Sequence, residues 1–115
     1  MLVFGLTSGC EMIQTVPPAR GRVVDSRSGQ PVPGAVVTRT GDGPSKHKAT
    51  NPDGAFHFRG KWRMQVALGD TIRPGRSYLI EANGYRAFET NRVTFRWANQ
   101  GSETDDLGTI AITRQ

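Results

Sequence analysis

A single cysteine, Cys10, stands in 115 residues, so no internal disulfide can staple the chain. No run of about 18 apolar residues occurs, which excludes a membrane-spanning helix. The histidines are only two, His47 and His57. With one cysteine they make no recognisable metal-ligand spacing, so neither a metal nor a cofactor is expected. Long amphipathic helices are excluded by punctuation, because the chain holds 14 Gly and 7 Pro, most of them after Arg20. Carboxylates are the minority charge: ten Asp and Glu stand against 15 Lys and Arg, a net +5. Such an excess permits attraction to nucleic acid, anionic lipid or acidic glycan without selecting among them. The cations are mostly arginines spread singly, with no lysine-rich run, so no nucleic-acid partner is expected.

What is present suits one domain. A chain of this length buries about two-thirds of its unfolded surface and needs no disulfide or metal for stability. The amino terminus stands apart. Met1, Leu2, Val3, Phe4 and Leu6 form a short uncharged block, followed by Thr7, Ser8, Gly9 and Cys10. This run resembles a bacterial lipobox, in which small residues precede the cysteine that becomes a thioether to diacylglycerol. A complete leader carries a basic start and about 7–15 apolar residues. No Lys or Arg precedes Cys10, so either a partial leader over 1–9 has its start upstream of Met1, which is the expectation, or the terminus is frayed and its cysteine there by chance. Residues 10–19 then read as the lipidated Cys10 and a stiff tether containing Pro17-Pro18, and residues 20–115 as the folded domain. Glu11 is not the aspartate that favours inner-membrane retention. The expected place is therefore the bacterial envelope, on the periplasmic side of the outer membrane where the host has one.

After Arg20 short β-rich runs alternate with turns. Gly21 to Asp25 reads as a strand, residues 28–34 as turn chemistry, and Ala35 to Thr40 as the next strand. Lys46 to Thr50 reads as a polar edge strand, since lysine at an edge discourages further pairing. Asn51-Pro52-Asp53-Gly54 has the type I turn signature. From Phe56 to Leu68, Phe56, Phe58, Trp62, Met64 and Val66 share one parity, while His57, Arg59, Lys61 and Arg63 share the other. That period is a strand's, either one long strand or two joined at Gly60. A turn at 72–75, a strand over 77–82, an Asn83-Gly84 hairpin turn, a strand over 85–97, a polar loop over 100–106 and a last strand over 107–113 complete the pattern. About seven strands and no helix predict an all-β, antiparallel Greek-key sandwich, because each sheet needs a second one to bury its apolar face.

Gly21-Arg22-Val23-Val24-Asp25, Ser28 to Val37, Thr50 to Phe58, Tyr78 to Tyr85 and Asp106 to Ile110, in this order, resemble the carboxypeptidase regulatory-like domain. The resemblance implies a transthyretin-like seven-stranded sandwich over about residues 20–113. It also implies a noncatalytic module of the kind that accompanies exported enzymes, outer-membrane receptors and surface proteins, or stands alone on lipoproteins. Active relatives of that fold carry motifs absent from this chain. His47 and His57 lack a Glu three residues on, Ile112-Thr113-Arg114-Gln115 replaces the hydrolases' Tyr-Arg-Gly-Ser, and Arg20 and Arg22 stand where isopeptide-forming relatives place a lysine.

No catalytic residue is assigned, because no local motif exposes and activates a nucleophile. Gly41-Asp42-Gly43 lacks the strand–loop–helix setting of a phosphate cradle. The candidate anion-binding surface is His57, Arg59, Lys61 and Arg63, in a row with spacings of about 6.5–7 Å. Its expected partners are an anionic envelope polymer, lipid head groups or an envelope protein, beside the membrane held through Cys10. Carboxylates on adjacent strands would instead make it an ordinary solvated face. Trp62 and Trp97, on the apolar parity, are expected in the core rather than on a glycan-stacking platform. The function expected is that of an envelope-anchored binding or structural accessory module. A glycan- or peptide-binding module using loop ends or the cationic strand is the first alternative, and a small hydrolase the second. Oligomeric state is left open.

Overall fold

Strict alternation of apolar and polar residues between frequent turns leaves this chain one way to bury its side chains, and the computed structural model takes it. The structure describes residues 11–41, 43–65, 75–92 and 103–115. Among these are nine strands and no helix: β1 (Glu11–Val16), β2 (Ala19–Asp25), β3 (Val36–Gly41), β4 (Gly43–Ala49), β5 (Ala55–Phe58), β6 (Lys61–Gln65), β7 (Arg76–Glu81), β8 (Phe88–Arg92) and β9 (Asp105–Ile112). Two sheets, ordered β5-β2-β9 and β4-β3-β7-β8, form a β-sandwich, and β1 and β6 make a separate two-stranded ribbon.

The core lies between the sheets. Ala19, Val23, Phe56, Phe58, Leu107, Ile110 and Ile112 meet Ala35, Val37, Tyr78 and Ile80. Phe56 and Phe58 touch edge to face with centroids 6.1 Å apart, and Phe58 lies 6.2 Å from Tyr78. Such pairs add to the burial term through their quadrupoles. The alternation expected of β5 holds: both phenylalanines point in and His57 points out. In β9 the parity changes once, at Gly108 (φ 64°). The register against β2 shifts between Arg20 and Arg22, so that Leu107 before this bulge and Ile110 and Ile112 after it all face the core. The Asn51 carbonyl accepts the Gly54 amide at 2.8 Å, closing the turn before β5.

Four findings differ from the sequence expectations. The sandwich is not wholly antiparallel, because β9 runs parallel to β2. The stretch read as a tether is strand β1, paired antiparallel with β6. Pro17-Pro18 does not stiffen a linker; it marks the step from ribbon to sheet. The stretch from Phe56 to Gln65 takes the second of its two readings, two strands divided at Gly60, but they do not share a sheet: β5 lies in the three-stranded sheet and β6 in the ribbon. The break falls at Arg59-Gly60, where a side chain on Gly60 would meet Pro18 Cδ at 2.8 Å and the Val16 carbonyl at 3.0 Å. The chain crosses itself here, and only glycine lets it pass that closely. Finally, Trp62 is not in the core but 49% exposed, since its strand left the sandwich before reaching it.

Asn83-Gly84 does turn the chain, with the Tyr85 amide bonded to the Ala82 carbonyl at 3.0 Å. The connection between β7 and β8 is longer than a tight hairpin, however, because Tyr85 also bridges to Arg114. The expectations for residues 1–9 and Cys10, for Val66 and Leu68, for the turn at 72–74, and for Val93, Phe95 and Trp97 lie outside the described residues, as does the direction of the Arg63 side chain.

Candidate functional site

The four predicted cations do not form one row. His57 lies on the outer face of β5, opposite Arg20 of β2. Arg59 is exposed at the end of β5, and its carbonyl accepts a hydrogen bond from Arg39 Nη2 at 3.0 Å. Lys61 turns toward the other sheet and lines a small crevice with Val16, Arg39, Gly41, Pro44 and Lys46. Its Nζ comes within 2.9 Å of where a Gly43 side chain would begin. Arg63 lies two residues further along β6.

The structure regroups charge across the sandwich instead. Strands β4 and β5 are the outermost strands of their sheets and contact one another across one open side. Every residue of β4 is exposed, including Lys46, His47 and Lys48. Lys46 and Lys48 pair with Arg39 and Val37, so they sit on the register of the inward face but overhang the sandwich rather than entering it. From residue 43 to residue 65 the sequence has five Lys and Arg (Lys46, Lys48, Arg59, Lys61, Arg63) and one carboxylate, Asp53. Lys46 and Lys48 were legible as edge-strand lysines, but their proximity to β5 depends on sheet stacking, which no local pattern encodes.

The outer face of the three-stranded sheet is different. There Arg20 meets Asp106 at 3.2 Å, both side chains exposed. The Gly108 amide and then Arg20 hold the Asp106 carboxyl below its ordinary range. This is the relief by neighbouring carboxylates that makes a cationic strand face an ordinary solvated one.

Two ionic clusters tie the sheets together. At one end Asp105, the first residue of β9, accepts Arg76 Nε at 3.0 Å, Arg76 Nη2 at 2.5 Å and the Tyr78 hydroxyl at 2.7 Å. Burial, and then the bond to Asp105, push the Tyr78 phenol well above its ordinary value. Beside it, the buried Arg39 guanidinium stacks 4.9 Å from the Phe58 ring centroid. It donates to the carbonyls of Pro17 at 3.1 Å and Arg59 at 3.0 Å, the two points where the chain passes between ribbon and sandwich. At the other end Asp25 Oδ2 accepts the Tyr85 hydroxyl at 2.7 Å and Arg114 Nε at 3.1 Å, while Oδ1 accepts the amides of Arg27 and Ser28 at 2.8 and 3.0 Å. The Tyr85 hydroxyl, the Ser28 and Arg27 amides and Arg114, in that order, hold the Asp25 carboxyl far below the usual carboxylate range. Sequence reasoning missed both clusters, because Arg76, Tyr78 and Asp105 meet only after β7 and β9 are assigned to different sheets.

Near Tyr85 a groove of about 600 Å3 opens between Gly34, Val36, Glu81, Asn83 and Ala87. It has one aromatic wall, Tyr85, rather than an exposed pair. Among the described residues no group of three or more His, Cys, Asp or Glu is placed to hold a metal ion.

No family model matches the sequence, and no curated protein matches it. Solved structures do resemble the fold. A 3-chlorocatechol 1,2-dioxygenase from Rhodococcus opacus 1CP superposes with a TM-score of 0.59 at 13% identity, covering 89% of this chain and 61% of that one. A catechol 1,2-dioxygenase from Acinetobacter sp. ADP1 gives 0.56 at 11% identity, over 88% and 53% of the two chains. A hydroxyquinol 1,2-dioxygenase from Pseudomonas putida DLL-E4 gives 0.53 at 14% identity, over 87% and 57%. At these identities the likeness is one of fold. The chain spans between 53% and 61% of the length of these proteins.

Proposed function

We propose that this chain is a noncatalytic accessory module of the carboxypeptidase regulatory-like kind, anchored in the cell envelope by acylation of Cys10, and that it acts by binding or spacing. The observation that carries the noncatalytic part is the engagement of its buried acids. Asp105 has both oxygens bonded to Arg76 and Tyr78, and Asp25 has both bonded to Tyr85, Arg114 and two backbone amides. These carboxylates act as structural braces, and every oxygen of both already accepts a hydrogen bond from the protein's own groups. The anchoring part rests on the Thr7-Ser8-Gly9-Cys10 run. Mass spectrometry of protein isolated from its own host tests it: a diacylglyceryl Cys10 at the amino end is expected, and an intact Met1 there refutes the anchor. Turnover of a catechol by the purified chain would overturn the noncatalytic part.

The groove beside Tyr85 favours a second reading, a glycan- or peptide-binding module. Chemical-shift changes confined to Tyr85, Glu81 and Asn83 on titration with envelope oligosaccharides would support it. A flat titration would remove it.

A further inference from the structure

We infer that the open side of the sandwich between β4 and β5, continued by the root of the ribbon at Lys61 and Trp62, docks on an anionic lipid surface. The inference deepens the anchored reading by naming the face that meets the bilayer. Its first support is charge segregation. Lys46, Lys48 and Arg59 are exposed on this side. The one carboxylate between residues 43 and 65, Asp53, lies in the turn before β5, at the opposite end of that strand from Arg59. A surface so composed lies in its own positive potential, which anionic head groups relieve.

The second support is Trp62. An indole left half in water on a β-ribbon costs apolar burial, and at a head-group boundary its ring and N–H are both satisfied. This favours a lipid surface over a soluble polyanion, which would need the cations but not the tryptophan. The third support is position. Strand β1 begins at Glu11, whose Cα is about 3.8 Å from that of Cys10. With no tether between them, an acylated Cys10 would hold the ribbon at head-group level.

The test uses unacylated Cys10→Ser protein, so that the docking face and the anchor fail separately. Sedimentation with phosphatidylcholine vesicles is compared with vesicles that also carry phosphatidylglycerol. Binding is expected only to the anionic vesicles, and Trp62→Ala should weaken it. Each surface cation in contact contributes about a fivefold factor in partitioning. The Lys46→Gln, Lys48→Gln, Arg59→Gln variant should therefore lose on the order of a hundredfold. An Arg22→Gln, Arg27→Gln, Arg86→Gln variant removes the same charge elsewhere on the surface and should lose far less. Equal losses in the two variants would overturn the inference, leaving only net-charge attraction. So would a Trp62→Ala protein that partitions unchanged, or retention on polyphosphate with no binding to either vesicle. Anionic-vesicle binding together with an unmodified Cys10 in the host would sink the anchor and leave the docking face standing.

Discussion

The sandwich is clamped at both ends by the same three residue types, one aspartate, one tyrosine and one arginine, in two different solvents. Asp105, Tyr78 and Arg76 are 6%, 0% and 3% exposed. Asp25 is nearly as buried, but its arginine partner, Arg114, leaves 70% of its side chain in water. Because β2 and β9 run parallel, Asp105 opens β9 at one end while Asp25 closes β2 at the other. In the inner cluster the carboxylate depends on side chains from the facing sheet. In the rim cluster half of its bonds come from the backbone of its own turn. The inner cluster is thus a joint between sheets whose failure takes from the buried Arg76 its bidentate partner. The rim cluster is a turn brace that the facing loop and tail reinforce.

The sharpest way to break this contrast is Asp105→Asn. The shape is kept, but Arg76 loses its bidentate carboxylate while still buried and keeps the more distant Glu103 at 4.0 Å, so the loss should approach, without exceeding, about 3 kcal/mol. Urea unfolding should show it as a fall in midpoint with an unchanged slope. Replacing all three together, with Asp105→Leu, Arg76→Met and Tyr78→Phe, should recover most of that loss, since a well-packed apolar trio needs no partner. A triple variant as unstable as the single one would mean that the cluster holds the sheets by more than removing its own penalty.

Arg39→Met comes next. It keeps the length of the side chain over Phe58 but leaves the carbonyls of Pro17 and Arg59 without their donor, a cost on the order of 2 kcal/mol. The effect should be local as well as global. Hydrogen exchange at β1 and β6 should accelerate more than at β2 and β9, because Arg39 ties down the two roots of the ribbon. Uniform acceleration would count against that role.

How much of this was legible beforehand follows from the range of each interaction. Phe56, His57 and Phe58 declared their directions because a strand's period is two residues, and Asn51 to Gly54 declared a turn because its chemistry is local. The edge position of Lys46 and Lys48 was legible for the same reason. The strand before Pro17 was not: Glu11 to Val16 forms it only by pairing with Lys61 to Gln65, some fifty residues away. The same pairing drew β6 out of the sheet and Trp62 out of the core, against a perfect local alternation. The cationic side likewise became visible only when β4 and β5 were stacked. Parallel pairing of β2 with β9 has no signature within either strand.

The rim cluster gives a smaller effect with a distinctive pH dependence. The folded Asp25 carboxyl titrates below its unfolded value of about 3.9. Its stabilisation is therefore fully present above about pH 4 and is lost as the pH falls toward the folded value. Asp25→Asn should lower Tm at neutral pH by less than Asp105→Asn does, and its Tm should approach that of the parent protein as the pH drops below 4. A constant gap between the two proteins down to pH 2 would show that Asp25 contributes through hydrogen bonding alone. Arg114→Gln, which removes the exposed partner only, should shift the neutral-pH Tm less again.

The smallest expected effect marks the solvent-exposed limit of the comparison. Arg20 and Asp106 make the same kind of ion pair across β2 and β9, but with 65% and 56% of their side chains in water. Water already solvates both charges, and holding two side chains in one geometry costs entropy that offsets the screened attraction. In a double-mutant cycle of Arg20→Gln and Asp106→Asn, the coupling should lie near the limit of detection at low salt. It should vanish at molar salt, where the screening length falls to about 3 Å. Part of any loss in Asp106→Asn belongs to the Gly108 amide, which donates to Asp106 Oδ1 at 3.0 Å and shapes the β9 bulge. That part should persist in salt and in the absence of Arg20. A salt-resistant coupling comparable to that of the rim cluster would mean that β2 and β9 are locked at their surface as firmly as at their ends, and burial would no longer rank the three aspartates.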